Sequence, residues 1–184
     1  MVEDLCFHLF DLVQNSVAAG ARVIRVEMRE SRANDTLELE VADDGRGMDR
    51  PTLLKVQDPF FTSKSFKKVG LGIPLLKATT EACCGDFAIA SRPGRGTRVR
   101  ASMQKSHLDC PPLGDLEGTL LSLLASLEAV DLRFSYRSES GAFAVSSAES
   151  RAHAGDLPLS HPDVYRFLRD FIRAGLGELL APAP

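Results

Sequence analysis

The chain has 184 residues, enough for one domain of ordinary size or one domain with a substantial appendage, and 44% of them are hydrophobic. Its 22 basic and 25 acidic side chains leave a net charge of -3, which argues against disorder throughout and against a global basic field for nucleic acid. No apolar run reaches the roughly 18 residues that cross a bilayer, and the N-terminus lacks the basic segment of a secretory signal, so a cytoplasmic protein without membrane insertion is expected. Cys6, Cys83, Cys84 and Cys110 have no metal-site spacing and read as buried thiols.

Leu5, Leu9, Leu12, Val13 and Ser16 recur at three- and four-residue intervals and predict a helix over 4–19, closed by Gly20. From Arg22 to Met28 polar and apolar residues alternate, and Leu37, Leu39 and Val41 repeat the pattern. These runs predict adjacent antiparallel strands on either side of the polar stretch ESRAND. DDGRGM, from Asp43 to Met48, is too polar and glycine-rich for a strand and should turn. Then come a short apolar stretch and PFFTSKSFKKV, a surface loop with Phe60 and Phe61 as anchors, before a helix over 71–82 that tolerates Pro74 in its first turn. Strands over 86–91 and 97–103, joined by RPGRG, complete a layered α/β domain over 1–104.

After Pro111 and Pro112 the pattern changes. An amphipathic helix over 115–129, a hairpin of DLRFSYR and GAFAVSS, a polar connector and a terminal helix capped by Ser160 predict an αββα extension over 113–180. It carries no catalytic motif and reads as a protein-interaction or buttressing element.

The chemistry is concentrated in the first hundred residues. Asp11 and Asn15 lie four apart on the first helix and so share a face. The Asn15 amide oxygen suits a magnesium ion that also holds nucleotide phosphates, and Asp11 could position or deprotonate a water. Asp43 can accept a hydrogen bond from an adenine amino group, while Gly45 and Gly47 leave room for the base. Asp44 would bind solvent or an ordered water. In VGLGIP, Gly70, Leu71 and Gly72 can bring backbone amides to phosphate oxygens at a helix N-terminus. Neither the dinucleotide fingerprint nor a P-loop is present.

The order DLVQN, DDGRGM, PFFTSK, VGLG and GRGT resembles the N, G1, F, G2 and terminal threonine motifs of the GHKL superfamily, over about residues 4–103. That resemblance implies the layered α/β sandwich of the GHKL (Bergerat) type, with ATP and Mg2+ as ligands. It gives Asn15 the metal position, Asp43 the adenine position, Gly45 and Gly47 the G1 positions, and Gly70 and Gly72 the phosphate positions. Thr97 takes the threonine position beside the adenine pocket. NSVAAGA looks like the mismatch-repair and topoisomerase branch, with Ala18 replacing an acidic residue; PFFTSK and the short interval before VGLG look more like histidine kinases.

Hydrolysing relatives place glutamate where this chain has Asp11. The shorter side chain withdraws its oxygens by about 1 Å, which can cost about 100-fold when a reacting group must be well placed. ATP binding with slow hydrolysis is therefore expected, coupled to an accessory or regulatory protein partner. Lys64 is the residue expected to approach the outer phosphates; Arg46, Lys67 and Lys68 have no assigned role. The alternatives are a kinase acting in trans on histidine or serine, and a non-enzymatic nucleotide-dependent switch. His8 is expected to pack beside the first helix rather than accept phosphate. Nucleic acid is not an expected partner, whereas an exposed side of either C-terminal helix could support a homo-oligomer.

Overall fold

The computed structural model describes residues 4–58 and 72–180. Asp4 accepts the Phe7 amide at 2.8 Å and begins α1 (Leu5–Ala18), whose apolar stripe of Leu5, Leu9, Leu12 and Val13 is buried. The chain reverses at Gly20, with φ of 75°, into β1 (Val23–Ser31) and β2 (Thr36–Asp43). A short helix α2 (Arg50–Lys55), started by the Asp49 carboxylate and a proline in its first turn, occupies part of the stretch read only as apolar. Helix α3 (Gly72–Ala82), β3 (Asp86–Ser91) and β4 (Thr97–Gln104) follow where the sequence pattern placed them.

The extension is α4 (Leu116–Ser126), β5 (Asp131–Ser138), β6 (Gly141–Ser146), α5 (Ser147–Ala154) and α6 (Pro162–Leu180). The expected αββα order is thus corrected to αββαα, because the polar connector begins with a helix. Ser146 caps α5 by accepting from the Glu149 amide at 3.4 Å.

All six strands form one sheet in the order β3-β4-β2-β1-β5-β6. Every pairing is antiparallel except β1 with β5, which run parallel from Val23↔Asp131 to Arg29↔Arg137. Three contacts fix that register. The Asp131 amide donates to the Arg22 carbonyl at 2.8 Å, the buried Tyr136 hydroxyl donates to Glu30 at 2.8 Å, and Glu139 accepts the Arg32 amide at 2.9 Å. Alternation puts Ile24, Val26, Met28, Leu39, Val41, Val99, Leu132 and Phe134 on one face, beneath the helices, in a single continuous core. The opposite face meets solvent with charged residues, including the Arg100–Glu38 pair at 2.9 Å and Arg98–Glu40 at 3.5 Å.

The segment after β4 returns to α1. The Leu5 amide donates to the Pro112 carbonyl at 3.0 Å and the Cys6 amide to Leu113 at 3.1 Å, satisfying donors that a helix N-terminus leaves open. His8 is buried against the Phe7 ring, as expected. Of the cysteines, Cys6 and Cys83 are buried, Cys110 is half-buried, and Cys84 is exposed, against the buried-thiol expectation. Burial pushes the Cys6 thiol up to about 12 and that of Cys83 up to about 11, so neither is a ready nucleophile.

Because β5 completes the sheet beside β1, both halves should melt together. Calorimetry of the full chain should give one cooperative transition, with Leu132→Ala lowering stability of the whole by about 2–5 kcal/mol. Two separated transitions would instead mean independent units.

Candidate functional site

The site forms where the start of β1, the end of β2 and the start of β4 meet α1 and α3. Asp43, the last residue of β2, is its fixed point. Its Oδ2 accepts from the Ser16 hydroxyl at 2.9 Å, and its Oδ1 accepts from the Gly45 amide at 2.8 Å and the Thr97 amide at 3.3 Å. Three donors from α1, the following turn and β4 hold the carboxylate in one orientation. Its roughly four lone-pair sites leave room for one more donor.

The DDGRGM turn is clamped on both sides. On the α1 side, the Arg46 amide donates to the Ala19 carbonyl at 3.0 Å and its guanidinium to Ala18 at 3.1 Å, placing a cation at the negative end of that helix. On the hairpin side, Gly94 donates to the Arg46 carbonyl at 2.7 Å and Met48 to the Ser91 hydroxyl at 2.8 Å. Gly47 has φ of 64°, and a Cβ there would sit 2.0 Å from the Arg92 carbonyl oxygen. Gly96, with φ of 77°, lies so close to Asp43 that a Cβ would meet its carbonyl oxygen at 1.8 Å. Both positions require glycine by backbone conformation and by space. A Cβ on Gly45 would come within 2.9 Å of the Asp43 Oδ1.

Asp44 has a role other than the expected solvent or water contact. Its Oδ1 accepts from the Arg22 amide at 2.7 Å and the Val23 amide at 2.9 Å, starting β1. The bond from Val23, with that from Arg22, holds its carboxyl below the usual carboxylate range.

At the other end, the Asn15 side-chain nitrogen donates to the Asp11 Oδ2 at 3.1 Å, so the pair shares one face of α1. The same Asp11 oxygen lies against the first residue of α3: a Cβ on Gly72 would stand 1.6 Å from it. Gly72 therefore lets a carboxylate approach the helix N-terminus. Asp11 and Ser16 are five residues apart, about 7.5 Å along the helix axis, so α1 addresses both ends of the site. Asp11, Asn15, Asp43, Gly45, Gly47, Gly72 and Thr97 are thus drawn together around α1 and α3. Lys64, Gly70, Leu71, Phe60, Phe61, Lys67 and Lys68 lie outside the described residues.

Two positioning residues escaped the sequence reading. Ser16 falls on the apolar period of α1; it is 4% exposed and holds Asp43. Ser91 donates to the Gly96 carbonyl at 2.8 Å and lies 2.9 Å from the Thr97 hydroxyl. A serine on a buried helical stripe directly after Asn15 was a usable sign. Ser91, at a strand end, offered none. Among the described residues no three His, Cys, Asp or Glu side chains gather as a self-sufficient metal cage.

Residues 3–107 match the histidine kinase-, DNA gyrase B- and HSP90-like ATPase family. The chain belongs to that family of ATPase domains, and membership implies ATP binding. It is 39% identical over 89 residues to the sensor protein kinase FleS of Pseudomonas aeruginosa, covering 48% of this chain and 22% of that protein. It is 32% identical over 103 residues to the sensor histidine kinase YxdK of Bacillus subtilis, covering 53% and 32% respectively. The chain thus spans under a third of these relatives' length. Among solved structures, the N-terminal domain of a DNA repair protein superposes with a TM-score of 0.54 at 14% identity, over 78% of this chain and 51% of that one. That likeness concerns the fold alone. No described helix is long and apolar enough to cross a membrane.

Asp44→Ala should lower thermal stability and flatten its acid dependence. The native carboxyl titrates below its unfolded value, so its contribution is present above about pH 4 and is lost as pH falls through the folded pKa. ATP affinity should stay unchanged, since the side chain faces backbone amides. A melting series against pH, paired with a binding isotherm, separates these effects.

Proposed function

We propose that the chain binds ATP with magnesium, hydrolyses it slowly, and couples its nucleotide state to contact with another protein. The observation that carries the reading is the span of α1: Ser16 holds the carboxylate proposed to receive adenine, while Asp11, to which Asn15 donates, lies against the N-terminus of α3. In this reading Asp43 accepts the adenine amino group, and Thr97 and Ser91 fix the pocket's polar wall.

The donor chemistry around α1 fits magnesium. Asn15 offers an amide oxygen and Asp11 a carboxylate, both hard ligands, and a magnesium ion characteristically takes few protein ligands together with phosphate oxygens. Bound there, the ion would supply charge neutralisation between carboxylate and phosphate. Such neutralisation matters because Asp11 already occupies space at the positive end of α3, where phosphate would also be drawn. Without a cation the two anions would repel, and an ion held by Asn15 and Asp11 would offset that repulsion. Asp11, held by Asn15, then orients or deprotonates a water, and its short side chain keeps turnover slow. Lys64 is proposed to approach the outer phosphates.

Transfer of phosphate to a histidine or serine of another protein is the second reading, supported by the relatives named as sensor kinases. A cytoplasmic setting belongs to both.

Calorimetry with released phosphate followed in the same sample tests the proposal. Magnesium-dependent ATP binding with little phosphate release is expected, and Asp43→Ala should weaken binding by at least about tenfold. Asp11→Asn should abolish the residual turnover while raising ATP affinity in the absence of magnesium, since it removes the opposing charge. Equal affinity of wild type and Asp11→Asn without magnesium would remove Asp11 from the phosphate end; no binding of ATP or ADP would reject the whole reading.

A further inference from the structure

Two of the four cysteines touch, although a long stretch of chain separates them. Cys83, fully buried directly after α3, donates its S–H to the Asp109 carbonyl at 3.2 Å, and its own carbonyl accepts from the Gln104 amide at 3.1 Å. The end of α3 and the turn after β4 are thereby held side by side. Cys110 is the next residue along, and its thiol is in hydrogen-bonding contact with that of Cys83.

Cys110 also lines a cavity of about 570 Å³, together with Glu30, Lys105 and Tyr136. Glu30 and Tyr136 stand near the ends of β1 and β5 and Lys105 follows β4, so the cavity lies at the end of the sheet away from Asp43 and Thr97. One thiol of the touching pair is open to small molecules through this cavity; the other is sealed behind it.

We infer that Cys83 and Cys110 form a disulfide site that responds to peroxide. The Cys110 thiolate attacks one peroxide oxygen, the O–O bond breaks, and a sulfenic acid forms while the other oxygen leaves as water. The Cys83 thiol then attacks the sulfenic sulfur, the S–S bond forms, the S–O bond breaks, and a second water leaves. The two thiols lose two electrons and two protons, and hydrogen peroxide is reduced to two waters.

Cys84 is exposed but is no partner for Cys83. Their Cα atoms stand about 3.8 Å apart across one peptide bond, inside the roughly 4.4 Å at which disulfide geometry begins. The bridge is slow to form at neutral pH. Burial holds the Cys110 thiol above the usual range, with Asp35 adding to the effect, while the Cys83 S–H and the Lys105 cation act against it. Such a pair answers sustained rather than brief exposure.

Its position determines what it restrains. Pro112 and Leu113, just beyond Cys110, accept the Leu5 and Cys6 amides that open α1. A covalent tie from the end of α3 to Cys110 therefore fixes the linker on which the start of α1 rests, and it narrows the unfolded ensemble between residues 83 and 110.

Hydrogen peroxide added to the full chain, followed by thiol blocking and peptide mass mapping, tests the inference. The expected product is a Cys83–Cys110 cross-linked peptide pair, two hydrogens lighter than its reduced parts and released by dithiothreitol, forming faster as pH is raised above neutral. The oxidised chain should melt at least about 5 °C higher, and hydrogen exchange at the Leu5 and Cys6 amides should slow severalfold. Cys110→Ser should abolish these changes and leave Cys83 a thiol, whereas Cys84→Ser should leave them intact. Oxidation confined to Cys84, a bridge through Cys84, or a Cys110 sulfinic acid beside a free Cys83 thiol would each overturn the inference. None of these readouts involves nucleotide, so their failure leaves the ATP proposal to its own test.

Discussion

Everything where α1, the end of β2 and the start of β4 meet hangs on the orientation of the Asp43 carboxylate. Three elements reach it with one donor each: Ser16 from α1, Gly45 from the turn, Thr97 from the start of β4. A hydrogen bond to a charged acceptor contributes about 1.5–3 kcal/mol, and stranding such a carboxylate costs more than the bonds themselves return. The turn must therefore pass close to its neighbours, and the glycines follow from that approach. Gly96 sits over the Asp43 carbonyl and Gly47 over Arg92, each at a separation no side chain survives. The motif's glycines are consequences of packing a carboxylate between a helix and a hairpin.

The end proposed to meet phosphate is built on different physics. Here a carboxylate, Asp11, is pressed against a helix N-terminus rather than surrounded by structural donors. Such a terminus carries roughly half a positive charge, enough to favour one anion and not two. The end proposed to receive the base is mechanically fixed, while the end proposed to meet phosphate is electrostatically unsettled until a cation arrives. A response to nucleotide should therefore begin at α3 and at the middle of α1.

The sequence patterns carried the individual elements well, since period-two alternation marks every strand of the sheet and period-3.6 stripes mark α1, α4 and α6. Alternation says which face of a strand is buried but not which strand lies beside it. The parallel partnership of β1 and β5, and with it the continuous core, was therefore not legible in Arg22–Met28 and DLRFSYR. Helix α5 was missed because SAESRAHA has no apolar stripe, although Ser146 followed by Glu149 is a capping pattern. In the site, motif order named Asp11, Asp43, Gly45, Gly47 and Gly72, which the fold places around α1 and α3. It misjudged Asp44, whose two backbone bonds depend on where β1 begins, and overlooked Ser16, whose polar role is hidden within a hydrophobic period.

These contacts also constrain how a nucleotide could reach the C-terminal half. One route runs through the sheet: Asp44 holds Arg22 and Val23, and Arg22 in turn accepts from Asp131 at the start of β5. That route consists of a carboxylate clamp on the start of β1 and a backbone bond to the start of β5, both in a closed register that resists small displacements rather than passing them on. The other runs along α1, whose first amides are held by Pro112 and Leu113 just before α4. A helix transmits a shift or tilt along its length as a unit, and Asp11 lies in its middle. Relief of charge at Asp11 would therefore act on the same rigid body that anchors the linker to α4, and α4 holds α6 through Glu117 and Arg173. Under the proposed function, α1 is the element able to carry nucleotide state to the C-terminal helices, and the sheet is the frame against which it moves.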